Sequence, residues 1–581
     1  LGCAASTQSG QGTGGSSGAT GSGGATGNGG ATGNGGATGN GGATGNGGAT
    51  GNGGATGNGG ATGNGGATGN GGATGTGGAT GTGGATGTGG SSSGGAGGGS
   101  GNPVVHLDQT DQTIEGFGIN DMYQSTPLTQ LDANIFDPAK GIGLSIVRVG
   151  MNTNGDGTLQ SPSSMTADIN AVIAAGGKAI GSVWTPPATC KTNKIQTTGG
   201  QLCSANNIVS IPKEGTNMCM AADNTSCYMS WAQKIASFAQ ANHLYAVSLA
   251  NEPEFASCGM AEPCNGTYAT AIYSAKEMVE FVKVAGPMIH NINVTPKIKV
   301  IAPETSEWNH LWGNKSACGS QPMGLPSSDP LNCGCFVSNT PTPTTACAPL
   351  VNVACSSACT SGNGYDYGHF LHADSTAWGA FDIIGTHEYD WQVASPWPTS
   401  DFPKDKEVWM TEMAGVKWWA EQGPSNDIND GIVVAQWIHS ALVVGQASAW
   451  LWWWYPGQSD NEGLVAQNGG PGSTRRYYTL ANYSKFVRPG YVRLQVSGSF
   501  PAGVLVSAYS GSGNVVVVAI NSSTSTASVP ISISGGTAPA SCTPNLTTAT
   551  ANLTAQTAVA VSSGSFTASL PGPSVTTFVC K

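Results

Sequence analysis

Leu244-Tyr-Ala-Val-Ser-Leu-Ala-Asn-Glu-Pro253 is a short apolar run that ends in an acid, and Glu407-Val-Trp-Met-Thr-Glu-Met413 ends the same way about 160 residues later. A glutamate placed where a buried strand emerges is held rigidly at the mouth of a site, which is what a catalytic carboxylate needs. One such residue is an ordinary strand end. Two, Glu252 and Glu412, with strand and helix signals between them, read as a pair.

Working outward from these runs, eight segments have the same character: Thr113–Gly118, Leu144–Gly150, Lys178–Trp184, Tyr245–Ala250, Ile298–Ala302, Phe381–Thr386, Val408–Thr411 and Ser448–Trp454. Each is short, apolar and rich in β-branched or aromatic residues, as strands buried on both faces are. Between them, Ala167–Ala175, Tyr228–Ala239, Tyr268–Val284 and Gly431–Leu442 carry apolar residues at helical spacing. Eight strands alternating with helices predict a (β/α)8 TIM barrel enlarged by loop insertions. A doubly wound open sheet is the runner-up, but no glycine-rich phosphate loop follows a first strand.

The last hundred residues change period. Gly503–Tyr509, Asn514–Ile520, Ala527–Ile533 and Ser574–Val579 are strands separated by Gly, Ser and Asn turns with no helix between them, a β-sandwich pattern to which Val104–Leu107 can add a strand. The boundaries expected are 1–102 for a linker, 103–485 for the catalytic barrel, and 486–581 for the fused C-terminal β-sandwich side domain. In the linker, Gly-Gly-Ala-Thr-Gly-Asn repeats from Gly23, changes to Gly-Gly-Ala-Thr-Gly-Thr near Thr76 and ends in a Ser/Gly run at Asn102. It has no side chain large enough to bury, so it is expected to be a disordered tether with an r.m.s. span of about 50 to 60 Å. No strict Gly-X-Y period is present, which excludes collagen.

A net charge of −11 with only 9% charged residues argues against nucleic acid or an acidic membrane surface as partner and favours a neutral polymer. Fifteen tryptophans and fourteen tyrosines supply surface for core packing or for stacking on ligand faces. Of the fifteen cysteines, Cys3 stands apart in Leu1-Gly2-Cys3, which resembles the end of a bacterial lipobox and implies lipidation of Cys3 at a cell surface. The other fourteen are an even set, twelve in polar insertions from Cys190 to Cys359 and two at Cys542 and Cys580, the pattern of disulfide-stapled loops in an oxidising compartment. Cys333-Gly-Cys335 and Cys355-x3-Cys359 lack zinc spacing and nearby histidines, so no metal is expected.

Placed on a barrel, Glu252 closes the fourth strand and Glu412 the seventh, both at the C-terminal rim. Glycosidic hydrolysis needs one protonated and one ionised carboxyl group, about 5 to 5.5 Å apart when configuration is retained. Asn251-Glu252-Pro253 with Glu412 resembles clan A of the glycoside hydrolases. Ile114–Gly118, Trp184-Thr-Pro-Pro187, Gly385-Thr-His-Glu-Tyr389, Trp409-Met-Thr-Glu412 and Ser484-Lys-Phe-Val-Arg-Pro-Gly-Tyr-Val-Arg493 resemble the bacterial xylanase branch of family 30, over about Val104 to Phe578 with gaps at the cysteine-rich insertions.

The resemblance implies a retaining endo-β-1,4-xylanase: a cofactor-free monomer that acts on polysaccharide, contacts no nucleic acid and meets a membrane only through lipid on Cys3. It implies Glu252 as general acid/base, Glu412 as nucleophile, Asn251 as donor to the sugar 2-OH and Tyr389 as donor to Glu412. Trp184 and Trp453 become sugar-stacking walls and Arg148 a cation beside the nucleophile. Glu254, Glu304, Glu307 and Glu388 also lie near strand ends, and the preceding Asn251 is what distinguishes Glu252 from them.

One departure bears on substrate. Branch members that require methylglucuronic acid carry arginines just after the eighth strand, whereas Trp454-Tyr-Pro-Gly-Gln-Ser-Asp-Asn-Glu462 has none and two acids. Xylan without a strict need for glucuronic acid side chains is therefore expected. The other readings are a different β-glycan, such as a β-1,6-linked glucan or galactan, and a catalytically silent glycan-binding surface lipoprotein. The side domain has few aromatics beyond Tyr509 and is expected to be mostly structural.

Overall fold

Every one of the eight apolar runs forms a strand in the computed structural model of the chain. The structure describes residues 102–191, 227–253, 275–308, 367–389, 404–415, 427–457 and 462–581, with 196, 202, 269–271, 273 and 311 and the pairs 31–32, 49–50 and 67–68. In chain order the barrel strands are Gly116–Asn120, Ile146–Gly150, Lys178–Ser182, Ala246–Ser248, Lys299–Thr305, Ile383–His387, Glu407–Glu412 and Ala449–Pro456. Each pairs parallel with the next, and the eighth also pairs with the first, which closes the barrel. Ile146, Ile180, Ala246, Ile301, Ile383, Trp409, Ala449 and Leu451 fill its interior.

The outer helices include Pro162–Ala174, Cys227–Ala241, Ala275–His290 and Ile428–Val443. The third of these starts seven residues later than the periodicity from Tyr268 predicts and runs on to His290, and residues 269–271 are not helical. Ala269, Ala271 and Tyr273 keep the pattern because they are buried, not because they are helical. A further helix, Arg475–Ser484, is capped by the Thr474 side chain on the Tyr477 N–H.

Beyond the barrel lies one ten-stranded sheet, antiparallel except where Val104–Thr113 runs parallel to Ala527–Ser534. The N-terminal segment is thus the extra strand expected, lying between Val492–Ser497 and Ala527–Ser534. The sandwich exists in layers but not in hydrogen bonding. The sheet curls until its edge strand Ser565–Leu570 packs over Asn514–Asn521 and Ser574–Cys580, enclosing Val517, Ile531, Phe566 and Phe578.

Two disulfides are described, Cys190–Cys227 and Cys542–Cys580, the latter joining directly opposed residues of neighbouring strands. Cys3 and the other ten cysteines of the insertions lie outside the described residues, as do Glu254 and Asp460. No helix among the described residues is long and apolar enough to cross a membrane.

The N-terminal repeat is a unit of its own, Ser6–Ser93. Its described residues depart from the expectation of a wholly irregular tether: Ala31–Thr32, Ala49–Thr50 and Ala67–Thr68 pair in parallel, alanine opposite alanine. Identical hexads place the same two residues in phase every third repeat, and that phase lets a parallel ladder form.

Candidate active site

The rim of the barrel is built where strand ends carry polar side chains inward. Along the sixth strand the period of two sends His387 and Tyr389 toward Glu252 and Glu412, while Glu388 turns the other way and accepts a hydrogen bond from Trp450 Nε1 at 2.9 Å. Glu252 and Glu412 are both nearly buried, at 6% and 5% exposure. A carboxylate oxygen of each and one His387 nitrogen lie within 4.8 Å of one another. Glu252 holds φ +49°, a left-handed backbone uncommon for a side-chain-bearing residue.

Arg148 organises the floor. Its side chain is fully buried, and Nη1 donates to Glu412 Oε2 at 2.9 Å and Asn120 Oδ1 at 2.6 Å. Nη2 donates to Asn251 Oδ1 at 2.6 Å and Ser182 Oγ at 3.0 Å, and Nε lies 3.2 Å from Glu304 Oε1. Tyr389 donates to Glu412 Oε1 at 2.8 Å. His387 Nδ1 lies 2.9 Å from Glu252 Oε1, and its Nε2 3.7 Å from Glu412 Oε2.

Burial pushes the Glu412 carboxyl above its usual range; Glu252 adds to this, whereas His387, Arg148 and the Tyr389 hydroxyl oppose it. Burial disfavours charge on His387, yet the carboxylates of Glu412 and Glu252 outweigh it and hold the imidazole above its ordinary range. Burial pushes the fully buried Glu304 up, but Arg148, His387 and the Ser182 and Ser248 hydroxyls together outweigh it and hold the carboxyl below its usual range.

Trp184 is 2% exposed, with the Arg148 guanidinium 5.0 Å from its ring centre and the rings of Tyr123 and Trp453 at 6.4 and 6.2 Å. Trp453 stacks on Trp454 at 4.9 Å and is 9% exposed, so it offers more open surface than Trp184. All seven residues expected at the site, Glu252, Glu412, Asn251, Arg148, Tyr389, Trp184 and Trp453, therefore gather at one end of the barrel, and the Glu307 carbonyl accepts from Thr305 Oγ1.

Asn120, Tyr123, Ser182, Glu304 and His387 also belong to this cluster, and the sequence reading gave them no role. His387 and Asn120 had a usable signal, since each is a polar residue closing an apolar strand. Ser182 closes its strand in the same way, Glu304 showed only as an acid near a strand end, and Tyr123 had no signal.

No family model matches the chain. A glucuronoxylanase XynC of Bacillus subtilis strain 168 is 36% identical over 217 residues, 36% of this chain and 47% of that protein. A second Bacillus subtilis XynC is 35% identical over 211 residues, 34% of this chain and 46% of its own length. The chain thus spans about half the length of the curated relatives it matches. A GH30 endoxylanase from Clostridium papyrosolvens C71 superposes with TM-score 0.56 at 22% identity, covering 83% of this chain and 100% of that one. The family 30 subfamily 8 xylanase Xyn30A from Clostridium acetobutylicum does so with TM-score 0.58 at 24% identity, covering 83% and 99%. In fold the chain is similar to solved xylanases of glycoside hydrolase family 30, and over about a third of its sequence it is similar to the Bacillus subtilis glucuronoxylanases.

Proposed function

We propose that the chain is a retaining glycoside hydrolase of β-linked polysaccharide, an endo-β-1,4-xylanase. The observation that carries this is the pair Glu252 and Glu412, with carboxylate oxygens within 4.8 Å at the rim of a closed barrel, the spacing of direct displacement rather than of an intervening water. Glu252 protonates the glycosidic oxygen as Glu412 attacks the anomeric carbon, so that the carbon–oxygen bond breaks while an ester to Glu412 forms. Glu252 then takes a proton from water, which opens the ester with a second inversion.

Supporting groups follow from contact. Arg148 and Tyr389 bind opposite oxygens of Glu412 and stabilise its ionised form against burial. His387 bridges the two carboxyl groups and keeps a proton between them. Asn251, held by Arg148, binds the sugar 2-OH, and Trp453 and Trp184 line the sugar subsite.

We further propose xylan as substrate without a strict need for glucuronic acid, although the curated relatives are named for glucuronoxylan. Glu462, after the eighth strand, is buried, and its charge, behind burial and the charges of Glu412 and Glu252, raises the Tyr389 hydroxyl. A carboxylated sugar there meets like charge. The two disulfides support action outside the cell, and a lipid on Cys3, proposed from Leu1-Gly2-Cys3, would tether the chain to the surface.

Glu252→Gln and Glu412→Gln should each lower hydrolysis of xylan by on the order of a thousandfold, read as reducing ends. NMR of the first product should show the β-anomer, and an initial α-anomer overturns the nucleophile assignment. Linear xylo-oligosaccharides should be cut alongside glucuronoxylan, so cleavage of glucuronoxylan alone refutes the substrate reading. Release of reducing ends only from β-1,6-glucan or galactan replaces xylan as substrate, and release from none leaves a glycan-binding protein.

A further inference from the structure

We propose that Glu304 is a positioning residue that never touches substrate, anchors the Glu252 backbone and Arg148, and with its fixed negative charge tunes the proton occupancy of the nucleophile Glu412 through the shared guanidinium. The inference rests on the glycosidase reading above. Glu304 is 0% exposed and lies in the fifth strand, where the ladder to the sixth skips it: Pro303 pairs with Gly385 and Thr305 with Thr386. The extra residue takes φ +63°, a left-handed conformation that side-chain-bearing residues rarely adopt. Such strain persists where its surroundings hold it, and it gathers at functional sites.

Two holds are present. The Glu304 carbonyl accepts the Glu252 N–H at 2.9 Å, tying two left-handed residues on neighbouring strands to each other. The carboxylate accepts from Ser182 Oγ at 2.7 Å and faces Arg148 Nε at 3.2 Å. Arg148 is thus shared between Glu304 on one edge and Glu412 on the other. Other groups that act on Glu304 are His387 and the Ser248 hydroxyl, and those on Glu412 are His387, Glu252, Arg148 and Tyr389. Tyr123 feels the charge of Glu412, and Glu462 reaches the cluster through Tyr389.

With Glu304 ionised, the guanidinium is partly neutralised before it meets the nucleophile. A buried negative charge that takes up part of Arg148 weakens the pull of the guanidinium on Glu412 and so favours the protonated form of that carboxyl. Removing that charge moves the acidic limb of the activity profile, set by the ionisation of Glu412, toward acid, whereas a purely structural residue would leave it in place.

The test is the pH dependence of kcat/KM on xylo-oligosaccharides for wild type, Glu304→Gln and Glu304→Asp. Gln keeps the backbone carbonyl and side-chain length but not the charge. The acidic limb should move to lower pH by about one unit, with KM unchanged. Asp keeps the charge, and its acidic limb should stay at the wild-type position even if kcat falls. An acidic limb of Glu304→Gln within a few tenths of wild type overturns the proposal and leaves the enzyme reading intact, whereas a wild type inactive on every glycan overturns that reading instead. If Glu304→Gln does not fold, NMR titration of carboxyl-13C glutamate in wild type, Glu252→Gln and Glu412→Gln decides. One buried glutamate must stay ionised through the acidic limb, and titration of all three overturns the inference.

Discussion

Asp121 directly follows the first barrel strand and is wholly buried; its carboxyl meets that of Asp168, on helix Pro162–Ala174. Asp168 accepts backbone N–H bonds from Leu128 at 2.9 Å and Thr129 at 3.4 Å, which favours its charge, whereas Asp121 has no such donor. Burial first, and then the Asp168 charge, push Asp121 up to about 9, while burial against those backbone donors leaves Asp168 at about 6. The folded protein therefore keeps a proton on Asp121 that the unfolded chain gives up near pH 4. From about pH 6, where Asp168 has ionised as well, to about 9 the folded state binds one extra proton, so stability falls as pH rises, by at most about 1.4 kcal/mol per unit, and levels off above about 9. An amide can donate to Asp168 as the acid does, so Asp121→Asn should flatten the decline in Tm between pH 6 and 9. A decline as steep as in wild type would place the proton elsewhere. Nothing in the sequence announces this pair, because Asp121 and Asp168 meet only through tertiary packing. By contrast Glu252 and Glu412 were legible, since each ends an apolar run and a closed barrel brings such ends together, whereas Asn251, Arg148 and Tyr389 were picked out through the motifs that resemble family 30. Glu304 was legible as an acid near a strand end but not as the partner of Arg148, a contact across three strands.

Among the elements, the barrel strands were read from their apolar content, but their irregularities carry the site and left no such trace. The ladder skips Glu304 between the fifth and sixth strands, Thr411 between the sixth and seventh, and Trp453 between the eighth and first. An extra residue bends its strand and re-aims the side chains beside it, and in a run such as Leu451-Trp-Trp-Trp-Tyr455 no residue type marks which one is extra. Gly385 shows how tightly this region is fitted. A Cβ there would lie 2.5 Å from Ile301 Cγ2 and 3.3 Å from Glu304 Cβ. Gly385→Ala should push the fifth strand outward and cost about 1 to 3 kcal/mol of stability. Because that strand carries Glu304, kcat should fall more than the loss of folded protein explains, as seen by activity per unit of folded enzyme. Gly379→Ala is the control, since its Cβ would meet only the Ser375 and Thr376 carbonyl oxygens, at 3.3 and 3.8 Å, and both effects should be small.

At the scale of the whole folded unit, the question is whether the C-terminal sheet is a separate body. Strand Asn514–Asn521 answers it residue by residue: Val515, Val517 and Ala519 pack into the core between the layers, while Val516, Val518 and Ile520 belong to the core continuous with the barrel. A strand buried on both faces reads as an unbroken apolar run, which is why Val-Val-Val-Val-Ala-Ile shows no polar alternation. The polar tie beside this seam is Asn482, fully buried at the end of the last barrel helix. Its Nδ2 donates to the Asn545 carbonyl at 3.1 Å and to Thr577 Oγ1 at 3.0 Å, and its Oδ1 accepts from Thr547 Oγ1 at 2.7 Å. Asn482→Ala strands these partners without water, at about 1 to 3 kcal/mol for each group left unpaired, so a net loss of about 2 to 4 kcal/mol is expected. Since the two cores share one strand, that loss should lower the Tm of barrel and sheet together. Calorimetry of residues 94–581 should show a single transition in wild type and a single, earlier one in Asn482→Ala. A split into two peaks, with the barrel holding its wild-type Tm, would mean that the sheet folds independently and that the shared strand does not couple them.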